Sequence, residues 1–134
     1  MKQEDKELLL KDLCARLPYG IVVHYNGLAR PLFGIEPTQH FQITLDKALD
    51  GEHNGLLYVS LDGDGEKPKP YLRPMSSMTE EEKLVYEYYK EGTCNSGLAS
   101  ELIDWLNKNM FDYRGLIPLE LAIKVTEENN PYKD

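Results

Sequence analysis

Six residues combine the side-chain types that dominate protein–protein interface hot spots, namely aromatic rings and planar guanidinium groups. Aromatic side chains bury a large area, and an arginine can bind a carboxylate through two parallel hydrogen bonds. The candidate partner-binding surface consists of Tyr71, Arg73, Trp105, Asp112, Tyr113 and Arg114. A simpler, structural interpretation makes Trp105 a core residue of its helix. In that interpretation Asp112 and Arg114 fasten a turn before Gly115.

A cysteine nucleophile is the next chemistry that the sequence suggests. Cys94 stands just before a predicted helix start, where the helix dipole can activate a thiol. It would also need a base, and His24, His40 or His53 would have to approach it in the folded chain. The local sequence matches no nucleophile signature, so we predict a loop thiol and assign no catalytic residue. An alternative stays open, namely a small-ligand site or active site assembled from dispersed residues such as His24, His53, Cys94 and Arg114.

The acidic segment 62–66 begins like a calcium-binding loop, in which alternate carboxylates converge on one cation. The sixth position of that loop is Lys67 instead of glycine, and the twelfth is Arg73 instead of glutamate. An acidic turn is therefore the better interpretation. The histidines and cysteines lack zinc-ligand spacing, and the sequence has no phosphate-loop, dinucleotide or serine-hydrolase motif. We therefore predict no metal site and no cofactor.

The composition is that of a single acidic globular domain spanning residues 1–134. Hydrophobic residues make up 41% of the chain, charged residues make up 28%, and the formal net charge is -8. This charge opposes direct nucleic-acid binding and suits a basic protein partner. The apolar run near the N-terminus is too short for a signal sequence or a membrane span, and the two cysteines suggest no disulfide framework. These features predict a cytoplasmic protein without membrane contact.

An amphipathic helix is predicted over residues 4–17. Apolar side chains recur there at helical spacing and define a face of Leu10, Leu13, Cys14 and Leu17. Cys14 is therefore expected to be a small buried thiol. Pro18 has no amide proton, so the helix should end by Leu17.

Residues 20–73 are predicted to be rich in β-strands. Asn26 and Gly27 favour a two-residue hairpin turn that places Tyr25 opposite Leu28. In the same register, position 23 faces position 30. Pro31 cannot donate to a strand ladder, so the returning strand should lie at an edge or end early.

Further strands in this region are predicted from alternation and turn signals. Residues 41–45 and 56–61 are strand candidates, which gives four or five short strands in all. The proline-containing segment 67–73 is interpreted as an extended linker or an edge strand.

Two helices are predicted over residues 79–110. Thr79 and Glu82 fit a capping box, and the helix that follows, over residues 80–91, should stop at Gly92. Its side chains expected to face the core are Leu84, Val85, Tyr88 and Tyr89. A second helix, capped by Asn95 or Ser96, carries an apolar face of Leu98, Leu102, Trp105 and Leu106.

The C-terminal segment 111–125 is ambiguous between strand and helix over residues 116–125, and we favour a strand. Residues 126–134 are polar and are expected to fray. Together the elements predict an α+β fold, in which a small antiparallel β-sheet or partly open barrel packs with an N-terminal helix and two helices of the C-terminal half.

Three sequence blocks carry a resemblance that spans the chain. They are Leu-Leu-Leu-Lys-Asp-Leu-Cys-Ala-Arg-Leu-Pro-Tyr-Gly at 8–20, Lys-Pro-Tyr-Leu-Arg-Pro-Met-Ser-Ser-Met-Thr-Glu-Glu-Glu at 69–82, and Asp-Trp-Leu-Asn-Lys-Asn-Met-Phe-Asp-Tyr-Arg-Gly-Leu-Ile at 104–117. The chain resembles small hypothetical proteins of gut Bacteroidetes and their phages and prophages. The resemblance implies a bacterial or phage protein and transfers no catalytic residue.

The function predicted from these features is non-enzymatic binding of another protein, in a phage or mobile-element context. A related alternative is an acidic inhibitor that occupies the positive groove of a nucleic-acid-binding protein. The second class is the small-ligand protein or enzyme with a dispersed site described above. The sequence does not determine the oligomeric state.

Overall fold

The structure, a computed structural model, describes residues 2–36, 42–62, 65–91 and 98–133. The helices in these residues are α1 (Gln3–Arg16), α2 (Glu80–Glu91) and α3 (Leu98–Lys108). The strands are β1 (Val22–Tyr25), β2 (Leu28–Glu36), β3 (Gln42–Leu45), β4 (Leu57–Ser60), β5 (Lys69–Leu72) and β6 (Ile123–Lys124). Single 3-10 turns lie at Leu17–Tyr19 and Met75–Ser77.

The strands form one open sheet in the order β4-β3-β2-β1-β5-β6. Neighbours from β4 to β5 pair antiparallel, whereas β6 pairs parallel to β5, so the sheet is mixed. The predicted α+β fold is confirmed, with one helix before the sheet and two late helices. The interpretation of 67–73 as a linker or edge strand is wrong, because β6 covers the second edge of β5.

The hairpin between β1 and β2 has the predicted turn and register. Asn26 and Gly27 both have positive φ angles, 56° and 79°, as a tight turn between twisted strands requires. Tyr25 pairs with Leu28, and Val23 pairs with position 30, as expected. Local turn chemistry therefore fixes the start of the sheet.

Pro31 does not mark an edge or an early end, because β2 runs on to residue 36 between β1 and β3. The amide of Leu32 donates to Ile21, so position 31 directs its backbone groups toward β3. There the Pro31 carbonyl accepts from the amide of Asp46. The Asp46 carbonyl accepts at 2.9 Å from Nη1 of Arg30, in place of the amide that Pro31 lacks. This side-chain donor explains how an inner strand tolerates a proline.

Helix α1 is rotated relative to the predicted face. Its buried residues are Leu9, Asp12, Leu13 and Arg16. Cys14 is exposed, so its predicted burial is wrong. The apolar periodicity predicted that the charged side chains of this helix face solvent. Instead, Asp12 and Arg16 form an ion pair that points toward the core. Leu10 and Leu17 are half-buried and pack against the core cluster that contains Leu9 and Leu13.

Helix α2 has its predicted bounds and capping box. The amide of Thr79 donates to Glu82 at 2.9 Å, and the amide of Glu82 donates to Thr79 Oγ1 at 3.1 Å. The predicted burial of Leu84, Val85 and Tyr88 is wrong, because all three side chains are exposed. The helix packs through its other side, where Tyr86 and Tyr89 are half-buried. Its predicted stop at Gly92 lies outside the described residues.

Helix α3 places its apolar face as predicted at three of the four positions. Leu106 is buried, and Leu102 and Trp105 pack against the small core cluster of Met78, Leu106 and Phe111. The side chain of Leu98 and the caps Asn95 and Ser96 lie outside the described part of the chain. Within that part, no helix combines the length and the apolar character needed to cross a bilayer.

The C-terminal segment forms turns more than strand. Only residues 123–124 pair with the sheet, although Leu116, Leu121 and Ala122 are buried. The expectation of a frayed tail does not hold at Tyr132. Its hydroxyl donates to the Tyr71 carbonyl at 2.7 Å and accepts from the amide of residue 22 at 3.1 Å. A half-buried aromatic ring with a bonded hydroxyl therefore anchors an otherwise polar segment.

Replacing Tyr132 by Phe should lower the free energy of unfolding by about 1–2 kcal/mol, because two backbone groups lose their hydroxyl partner while the ring remains. Urea denaturation measures the change. Tyr58→Phe is the matched control, since this tyrosine is 60% exposed and its hydroxyl makes no hydrogen bond in the described residues. Equal stability of the two variants would contradict the anchoring role of the hydroxyl.

Candidate partner-binding surface

The six predicted surface residues are engaged mainly in contacts within the chain. They lie on β5, at its exit, on α3 and in the connection that follows α3. Arg73 and Phe111 form a parallel bridge: the Arg73 amide donates to Met110 at 2.7 Å, and the Asp112 amide donates back to Arg73 at 2.8 Å. This bridge brings residues predicted from distant sequence blocks together. Tyr71 is separate from the others, with its ring buried in the sheet.

The guanidinium of Arg73 attaches α2 to the rest of the protein. Nη1 and Nη2 donate to the two oxygens of Glu82 at 2.8 and 2.6 Å, and the group lies over the Phe111 ring at 4.2 Å. The hydrogen bond from Arg73 is the main reason that the pKa of Glu82 lies below its ordinary range. Glu82 also closes the capping box, so one carboxylate orients the first turn of α2 and links it to β5.

Asp112 has a structural role. It is buried, and its two carboxylate oxygens accept from the amides of Leu116 and Ile117 at 2.8 and 2.9 Å. Gly115, between donor and acceptor, has a φ of 77°, which glycine adopts without strain. Asp112 therefore stabilises a turn, as the structural interpretation predicted, but the turn contains Gly115 and does not precede it. A carboxylate occupied in this way has little capacity left for a partner.

Arg114 does not join Asp112 in this turn, and it binds Asp12 of α1 instead. Its Nη1 donates to Asp12 at 2.7 Å. Asp12 and Arg16 are both completely inaccessible, and Nε of Arg16 lies 3.0 Å from each oxygen of Asp12. Nη2 of Arg16 donates to the Phe111 carbonyl at 2.6 Å, while Nη1 makes no hydrogen bond with the described residues. One buried carboxylate thus joins two arginines from opposite ends of the chain.

Sequence reasoning missed Asp12 and Arg16. Their spacing of four residues on a helix is the signal of an ion pair, but such pairs usually lie on the surface. Tyr113 lies between the two cations, with its ring 5.4 Å from the guanidinium of Arg16 and 4.5 Å from that of Arg114. Its hydroxyl donates to Asn107 at 2.9 Å. Tyr113 therefore belongs to the same internal cluster.

Trp105 is half-buried, as its position on the apolar face of α3 indicates. Its ring centroid lies 5.5 Å from that of Phe111 and 6.2 Å from that of Tyr89 on α2. It therefore connects the two late helices, and part of the indole remains at the surface. Of the Trp105 side chain, only this part is accessible to a partner.

The three described residues of the enzyme alternative, His24, His53 and Arg114, have separate partners. His24 bonds the hydroxyl of Tyr71 at 3.0 Å, and burial raises the pKa of that tyrosine. His53 bonds Asp50 at 2.9 Å in an exposed turn. Five surface clefts lie among the described residues, and none of these five is lined by His24, His53 or Arg114.

Other parts of the predicted chemistry fall only partly within the described chain. Cys94 and His40 lie outside it, as do Gly63 and Asp64 of the acidic segment. Asp62 of that segment is ion-paired with Lys6 of α1. Among the residues that the structure describes, no three histidine, cysteine or acidic side chains form a group that could hold a metal ion.

An exposed apolar surface lies next to the predicted residues, on α2. We define the α2 outer face as Leu84, Val85 and Tyr88, whose side chains are 73%, 37% and 66% exposed. The spacing of i, i+1 and i+4 places them on one side of the helix, opposite Tyr86. Tyr89 borders this side, and its ring centroid lies 5.6 Å from that of Tyr88. The sequence signal was the apolar pattern itself, which we assigned to the core.

Asp12→Asn should reduce the free energy of unfolding by about 3–5 kcal/mol, because it leaves the buried Arg16 without a counter-charge. Chemical denaturation measures the loss. Asp104→Asn on the exposed side of α3 is the control and should be near neutral. Arg114→Gln should cost less than Asp12→Asn, because the pair of Asp12 with Arg16 remains. A loss below about 1 kcal/mol for Asp12→Asn would contradict the cluster's role.

Glu82→Gln should lower stability by about 1 kcal/mol at neutral pH, since the pair is partly exposed and glutamine can still close the capping box. The pKa of Glu82 is depressed in the folded state, so its contribution is present above the ordinary value of 4.5 and is lost as pH falls through the folded-state value. The difference between wild type and variant should therefore shrink under acid. Glu80→Gln, at a 91% exposed side chain, is the control. A difference that is independent of pH would refute the electrostatic origin.

Comparison with known proteins adds no assignment to this geometry. No family model, no curated protein and no solved structure matches the chain. The resemblance to proteins of gut Bacteroidetes and their phages therefore stays a prediction.

Proposed function

We propose that the protein acts by binding another protein, and that the α2 outer face is the contact surface. The observation that carries this proposal is the exposure of Leu84, Val85 and Tyr88 together on one helix side. Isolated exposed apolar residues are common, but a contiguous apolar group on a helix often marks an interaction site. Aromatic residues such as Tyr88 are also enriched among interface hot spots.

The surface is held rigidly by contacts that do not involve it. The capping box fixes the first turn of α2, the bidentate pair of Arg73 and Glu82 attaches that turn to β5, and Tyr89 packs on Trp105. A partner therefore meets a helix that is already ordered. Such preorganisation lowers the entropic cost of association.

The charges around the surface favour a basic partner. Glu81, Glu87 and Glu91 are exposed on the same helix, close to the apolar side chains in the helical register. The whole chain carries a formal charge of -8. An apolar groove bordered by lysine or arginine would complement this helix, and the charges would accelerate encounter at low salt. If that groove is a nucleic-acid-binding site, the protein would act as an inhibitor.

The proposed source of the partner is a gut bacterium of the kind that the resemblance implies. A photo-crosslinking amino acid at position 88 of the full chain, produced in such a host, should capture one protein. The same amino acid at position 58, a tyrosine of similar exposure on β4, is the matched control and should not capture it. Mass spectrometry identifies the product.

The captured protein, once purified, should bind the chain directly. Leu84→Ser with Tyr88→Ser should weaken binding tenfold or more, the size expected for two interface anchors. Tyr58→Ser should leave binding unchanged. Both side chains are mainly exposed, and the double variant removes the ring contact of Tyr88 with Tyr89, so it should stay folded and lose only about 1–2 kcal/mol of the free energy of unfolding. Equal crosslinking yields at positions 58 and 88 would contradict the proposal. So would an affinity for the captured protein that the double variant leaves unchanged.

A further inference from the structure

A polar cleft of about 570 Å³ lies where the turn after α1, the end of α3, the exit of β5 and the tail meet. Its lining includes Tyr19, Arg73, Lys108, Asn109, Asn130 and Tyr132. Four other clefts in the described residues are each lined by at least one aspartate or glutamate. The lining of this cleft contains two cationic side chains and no carboxylate. In a chain with 23 acidic residues, such a lining favours an anion.

Lys108 is the cation of this cleft that remains available. Arg73 is already neutralised by Glu82, whereas Lys108 has no ion pair with any residue that the structure describes. Two further donors in the lining, the hydroxyl of Tyr19 and the side-chain amide of Asn130, make no donor hydrogen bond within the described chain. A phosphate or carboxylate could accept from all three types of donor.

The neighbouring cleft extends this site toward aromatic side chains. It shares Tyr19 and Lys108 with the first cleft and is also lined by Trp105 and Tyr89. Aromatic faces suit a planar ring of a ligand. The second cleft also contains Glu101 and Asp104, whose carboxylates accept hydrogen bonds and therefore suit a ring that carries N–H donors.

We infer that the two clefts together form a binding site for a small anion that carries a planar, N–H-bearing ring, with its phosphate or carboxylate near Lys108 and its ring near Tyr19 and Trp105. Nucleoside monophosphates have this combination and fit the size range of small-molecule sites. The site is distinct from the α2 outer face, so it does not depend on the proposed protein partner.

The chain provides its own reporter, because Trp105 is its only tryptophan. Titration of the full chain with adenosine and cytidine monophosphates should give saturable quenching of tryptophan fluorescence, checked by calorimetry. Lys108→Gln should weaken binding about tenfold or more, as expected for loss of a charge-assisted hydrogen bond. Lys11→Gln, another exposed helical lysine without an ion pair in the described residues, should bind as wild type does.

Three results would overturn the inference: no saturable binding at millimolar nucleotide, equal effects of Lys108→Gln and Lys11→Gln, or inorganic phosphate binding as tightly as the nucleotides without a change in fluorescence. The last result would show a simple anion site without a ring subsite. Because Lys108 is exposed, an unchanged denaturation curve should show that its variant is folded.

Discussion

The buried carboxylate of Asp12 is the interaction on which the arrangement of the elements depends. It lies between Arg16 of the same helix and Arg114 of the connection after α3, and Arg16 reaches on to the carbonyl of Phe111. An uncompensated charge is too costly to keep in a protein interior, so α1 and this connection have to stay in contact. The rotation of α1, with Cys14 outside and Leu9 inside, follows from this requirement.

A second arginine organises the late helices in a similar way. Arg73 follows directly after β5, its guanidinium lies over the Phe111 ring, and it donates two hydrogen bonds to Glu82. Since Phe111 also receives the buried Arg16 at its carbonyl, the two arginine clusters share one residue. The end of β5 therefore determines the position of α2. The outward position of Leu84 and Tyr88 is a consequence of this attachment.

Local chemistry made part of this fold predictable. The turn at Asn26 and Gly27 and the capping box of Thr79 and Glu82 depend only on neighbours in sequence, and both are confirmed. The inward turn of Asp12 could not be predicted, because its second cation lies 102 residues away.

The other wrong predictions also depend on side-chain contacts that the local pattern does not reveal. Helix α2 carries aromatic side chains on two sides, and the pair of Arg73 with Glu82 decides which side packs. Pro31 is tolerated inside the sheet because Arg30 supplies the missing donor, which no propensity scale includes. The predicted surface residues were brought together in large part, but contacts within the chain occupy most of their polar groups.

Contacts between the two ends of the sequence also govern the order in which the chain can fold. Arg16 meets residue 111, Asp12 meets Arg114, and the amide of residue 22 meets Tyr132, at separations of 95, 102 and 110 residues. During synthesis, β1 and β2 can pair early, but Arg16 and Asp12 of α1 lack their distant partners until residues 111–114 have left the ribosome. Closure of such long loops carries an entropic cost that local helices avoid, and it slows folding. The native core is therefore completed only after Tyr132 has been translated.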